Sequence, residues 1–130
     1  MSSNSICDEP SPTQEHRTPA DILNAAADLL EKPGAWTQGT EARDQDGRSL
    51  VWGTDERAKC WCVVGALEWA SGRGRAATER AKALYAQSTG IMMECLGAAI
   101  PDWNDAPDRT QAEVVAALRK AATLSGEPSQ

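Results

Sequence analysis

Histidine is nearly missing from this chain: His16 is the only one among 130 residues. It lies in the polar opening stretch "MSSNSICDEPSPTQEHR", which carries two prolines, shows no hydrophobic periodicity and reads as an unstructured arm over 1–17. Serine–histidine and cysteine–histidine catalysis, and histidine-ligated metal centres, each need an imidazole held by packed structure. The expected folded part has none to offer, and His16 reads as a solvated bystander.

Other absences narrow the field further. No apolar run approaches the ~20 residues that span a bilayer, and the opening lacks the basic and apolar blocks of a signal peptide. A cytoplasmic location is therefore expected, with Cys7, Cys60, Cys62 and Cys95 as reduced thiols. Basic residues are outnumbered, giving a net charge of -6 and a pI of about 4.7. That balance argues against direct binding to nucleic-acid phosphates or anionic lipid. Phenylalanine is absent beside five tryptophans, which suggests alanine-lined helices packed around a few large indoles whose N–H groups need partners.

What is present points to a mostly α-helical domain over 18–124, followed by a second unstructured tail over 125–130. "TPADILNAAADLLEKPG" opens with Thr18 as N-cap, Pro19 at the first helical position and Asp21 completing a capping box; Pro33-Gly34 ends it. Asp46-Gly47 is a turn signal inside an excursion from Gly39 to Gly53 that reads as a small hairpin. A second helix is expected from 55 or 58 to 70. It is apolar nearly all round, as a central buried helix should be, and Gly65 in its interior implies close approach of another backbone. A third helix is expected over 76–88 and a short fourth segment after Thr89-Gly90, with their continuity undecided. "IPDWNDAPDR" reads as a connector, and Thr110 with Glu113 forms a second capping box before the last helix. The expected architecture is an irregular bundle of four to five helices around the central one.

The stretch "KCWCVVGAL", 59–67, looks most like chemistry. A metal site built from Cys60, Cys62 and Cys95 with an aspartate is disfavoured, because C-x-C on a helix splays its sulfurs and paired C-x₂-C is absent. No metal and no cofactor are expected. If a helix begins near Lys59, Cys60 or Cys62 sits at its positive end beside Arg57 and Lys59, where a thiol pKa falls. The competing reading makes Cys60, Cys62 and Cys95 small core hydrophobes. Asn104 and Asp105 in "WNDAPDRT" either line a site or tie the turn before the last helix. Gln38 in "WTQG" donates either to a ligand or to buried backbone.

Three elements taken together, "GAWTQG", "CWCVVGALEWA" and "WNDAPDRTQAEVVAALRKAA", resemble a family of small uncharacterised bacterial and phage proteins, known only as a domain of unknown function. That family carries W-x-Q-G, C-x-C-x-x-G-A-L and W-N-D-x-P-x-R-T elements, and the likeness runs from about residue 21 to 122. It implies a compact, mostly helical domain with no assigned activity, and it marks Gln38, Cys60, Cys62, Asn104 and Asp105 as signature positions.

The functional expectation is an accessory or interaction protein that binds a macromolecular partner or a small ligand, with Trp36, Gln38, Trp103 and Asn104 as ligand-binding candidates. The alternatives are a cysteine-dependent hydrolase or transferase, with Cys60 or Cys62 as nucleophile, Asp105 as base and Gln38 as oxyanion donor, or an acidic inhibitor of a nucleic-acid-binding protein.

Overall fold

The computed structural model describes residues 17–126. The arm and tail expected at the two ends lie almost wholly outside this range, as do Cys7 and His16. Among the described residues no helix is long and apolar enough to cross a membrane.

The first and last long helices form where local signals place them. Helix α1 (Pro19–Leu30) is closed by its capping box: Asp21 N–H donates to Thr18 Oγ1 (3.2 Å) and Thr18 N–H to Asp21 Oδ2 (2.9 Å). The final helix, Gln111–Ser125, begins with the same device between Thr110 and Glu113. These two helices pack most extensively on each other. Arg119 on the final helix reaches across to the first, donating to Asp28 Oδ1 (2.6 Å) and Glu31 Oε1 (2.9 Å).

The centre differs from expectation in a way that matters for the thiols. Cys60–Trp61 is a strand, β3, and the central helix starts only at Val63, so α2 is Val63–Ser71. Strand β3 pairs antiparallel with β1 (Ala42–Arg43), which pairs on its other edge with β2 (Ser49–Leu50). The hairpin turning at Asp46-Gly47 is thus two strands of a three-stranded sheet, and Gly47 takes the left-handed conformation its turn requires (φ 83°). Trp61 also exchanges main-chain bonds with Ala35 and Thr37.

The two segments expected on either side of Thr89-Gly90 are one continuous helix, α3 (Glu79–Leu96), capped by Thr78. The expected connector holds a short helix, α4 (Ile100–Asn104), and the last helix is accordingly α5. Ile22, Leu23, Leu30, Leu67, Leu84, Met92, Val114 and Leu118 fill the core with almost no exposure. The indoles do not occupy its middle. Trp36, Trp61 and Trp103 pack against it from the rim, and Trp69 is 44% exposed. Each indole has a polar end to satisfy, and the rim lets ring and N–H find different surroundings.

Helix α2 is tied to the sheet region by close backbone contact. A Cβ added at Gly65 would overlap the Glu41 carbonyl, and one added at Gly53 would overlap the Gly65 carbonyl. Gly65 is therefore placed as its interior position implied: two chain segments pass over it where no side chain fits.

Candidate functional site

The signature residues meet around the start of α2. Asn104, fully buried at the end of α4, uses its whole hydrogen-bonding capacity there. Its Oδ1 accepts from Trp36 Nε1 (2.8 Å) and from Val63 N–H (3.1 Å), while its Nδ2 donates to Thr37 O (3.2 Å) and Asp105 Oδ1 (2.9 Å). Gln38 Nε2 donates to Asn104 O (2.9 Å) and Ala106 O (3.0 Å), and Gly39 N–H donates to Asp105 Oδ1 (2.9 Å). The W-x-Q-G loop and the W-N-D turn are thus bound to each other and to the first residue of α2.

That same α2 start explains Cys62. It is the N-cap, and its sulfur accepts the Gly65 N–H at 3.4 Å. A helix N-terminus ordinarily lowers a thiol pKa, but burial dominates here and pushes Cys62 up to about 11, with the carboxylates of Glu41 and Glu68 adding to the rise. The activated thiol that a helix beginning near Lys59 would give is therefore not formed at Cys62. Cys60 is half-buried on β3, outside any helical turn, and Cys95 is half-buried on α3. Among the described residues no group of three His, Cys, Asp or Glu side chains is arranged to hold a metal ion.

Between the Gly39–Glu41 segment and α4 lies a cleft of about 160 Å³, lined by Thr40, Glu41, Cys62, Val64, Asn104 and Asp105 together with Gly39 and Pro101. Of the sequence candidates, Cys62, Asn104 and Asp105 converge on it. Trp36, Gln38, Cys60 and Trp103 do not line it. Trp36 and Gln38 brace it from behind, and Trp103 is stacked under the Arg109 guanidinium (3.9 Å to the ring centre). At this size it is smaller than the ~300–1,000 Å³ pockets that enclose whole cofactors, so it suits a side chain or a small polar group.

Two groups escaped the sequence reading. Glu41 supplies the cleft with a carboxylate that has no hydrogen-bond partner among the described residues, and nothing in its local sequence signals this. Glu68 is 4% exposed, accepts Gly53 N–H at 2.8 Å, and burial raises its pKa to about 7. A signal did exist for Glu68, as the lone charge on an otherwise apolar helix.

Residues 14–124 match a protein family described as a family of unknown function, DUF6197. The chain belongs to this family. The match takes in all three signature elements and both walls of the cleft, so the polar network around Asn104 lies wholly within the family domain. No curated protein and no solved structure matches the chain. Family membership brings no activity with it, and the cleft's own chemistry is what bears on function.

Proposed function

We propose that this DUF6197 domain is a binding module whose cleft, between the 39–41 segment and α4, receives a group from another molecule. The observation that carries this reading is the division of labour around the cleft. Its walls are fastened together by Asn104, Gln38 and Asp105 Oδ1, whereas the Glu41 carboxylate that lines it has no hydrogen-bond partner among the described residues. A rigid wall with an uncommitted polar group is what recognition without bond-making requires.

The hydrolase reading has one observation in its favour, that Cys62 and Asp105 line the same cleft. Against it, the Cys62 thiol is held protonated, and the Gln38 amide donates to two main-chain carbonyls instead of facing a substrate oxygen. The resemblance to small bacterial and phage proteins, and the three free cysteines at positions 60, 62 and 95, support an accessory role in a reducing cytoplasm.

Amide-resolved NMR during a fragment screen tests the proposal. Fragments are expected to shift residues 39–41, 104 and 105 together, and iodoacetamide at pH 7.5 is expected to leave Cys62 unmodified in the native protein. Rapid alkylation of Cys62 would move the assignment to a nucleophile. Fragments that never perturb the cleft would remove the binding reading.

A further inference from the structure

The cleft does not end at α4. A second, shallower depression of about 300 Å³ adjoins it, lined by Tyr85, Thr89, Met93 and Ile100, and Val64 and Pro101 line both. The two halves differ in chemistry. The first carries two carboxylates, Glu41 and Asp105, and no lysine or arginine lines either half. Arg43, bonded into the same loop, commits its guanidinium to Thr37 Oγ1, Gln38 O and Gly47 O. The second half is apolar, with Met93 43% exposed at its edge, and methionine adapts its shape to what it meets. Burial is the main cause of the raised pKa of both the Cys62 thiol in the first half and the Tyr85 phenol in the second, and the carboxylates of Glu68 and Glu41 add to each rise.

We infer that this groove takes an extended segment of another protein in which a lysine or arginine side chain, seated between Glu41 and Asp105, stands next to an apolar side chain seated on Met93 and Tyr85. The inference rests on the binding reading above and names its occupant. A free amine would satisfy the carboxylates but leave the apolar half uncovered, whereas neighbouring side chains of a peptide cover both. The chain's own ends do not fit. Residues 1–16 contain Asp8, Glu9 and Glu15 and no lysine or arginine, and residues 127–130 contain Glu127 and none either. Charge complementarity therefore calls for a different molecule.

The test uses the full-length protein and peptides selected from a displayed random library. Selected peptides are expected to be enriched in lysine or arginine beside leucine, isoleucine or methionine, and to shift residues on both sides of Val64. Binding should weaken at least about tenfold in Glu41→Gln, in Met93→Glu, and when the peptide's basic residue is changed to glutamine, and it should fall as salt rises. The last substitution leaves the protein untouched, so the result does not depend on a variant folding. Peptides that occupy the groove but lack a basic residue, or that bind Glu41→Gln unchanged, overturn the occupant and leave the binding reading standing. Peptides that bind only outside the groove overturn both. Self-association of the protein that Met93→Glu abolishes would make a second copy the occupant and overturn the inference.

Discussion

The side-chain oxygen of Asn104 accepts the main-chain N–H of Val63 at 3.1 Å, across 41 residues of chain. Val63 is the first residue of α2, and its N–H is one of the four that a helix leaves without an internal partner. The next cap bond comes from a sulfur, a weak acceptor outside the usual N-cap set. The helix at the centre of the domain is thus started by a residue from the far end of the sequence. The same oxygen holds Trp36 Nε1, so one amide ties together the three segments that carry the family resemblance.

Removing that amide should be costly. Asn104→Ala strands Val63 N–H, Trp36 Nε1 and Thr37 O around a position that is fully buried, and the expected loss is about 3 kcal/mol of unfolding free energy. Asn104→Asp retains the acceptor but sets a carboxylate against Thr37 O and Asp105. It should destabilise by a similar amount at pH 7 and less at pH 4, where protonation restores a donor. Urea unfolding at the two pH values measures both. A loss below about 1 kcal/mol for the alanine variant would mean that the network is dispensable.

Gly65→Ala separates helix propensity from packing. Within a helix the change should stabilise by ~1 kcal/mol. Here the new Cβ meets the Glu41 carbonyl, which also accepts Cys62 N–H at 3.1 Å, so the 39–41 segment must move. The expected net effect is destabilisation by at least about 2 kcal/mol, with large NMR shifts at Glu41 and Cys62. A variant as stable as the parent would show that this segment is free to lift away.

Gly90→Ala provides the contrast. Gly90 lies inside α3, where a Cβ would meet nothing within 4 Å. The substitution is expected to stabilise by ~0.5–1 kcal/mol, seen as a higher thermal midpoint, because only the backbone entropy of the unfolded chain changes.

These residues also show what was legible in the sequence. Helices α1 and α5 were, because a capping box is written within four adjacent residues. Helix α3 was visible only in pieces. The glycine that marked a break costs about as much as one buried methylene contributes, and Leu84 and Met92, buried on either side of it, outweigh that. The beginning of α2 was not legible. Lys59 N–H and Trp61 N–H are taken by Arg43 O and Ala35 O, and no window around Cys60 contains those partners. The misplaced start is what kept an activated thiol open beside the reading of Cys60 and Cys62 as core hydrophobes. At the site, Gln38, Asn104 and Asp105, singled out in the sequence, are hydrogen-bonded together, and whether such residues face a ligand or one another is decided by tertiary contact.

Glu68 gives the fold a pH dependence whose sign follows from its pKa, about 7 in the folded protein against an ordinary 4.5. Burial is the main cause and Glu41 adds to it, while the Gly53 N–H bond and Arg73 oppose it. Between those pH values the folded state keeps a proton that the unfolded chain has released. Stability from this group is therefore complete below about pH 4.5 and falls as pH rises through 7, by up to roughly 3 kcal/mol. Asp55 works in the other direction, its pKa lowered to about 2 by Arg57, but its window closes below pH 4 and leaves the neutral range to Glu68. Glu68→Gln preserves an acceptor for Gly53 N–H and removes the titration. Urea midpoints should drop between pH 5 and pH 8 in the parent and stay level in the glutamine variant. Equal slopes in the two proteins would show that Glu68 is already ionised in the fold at pH 5.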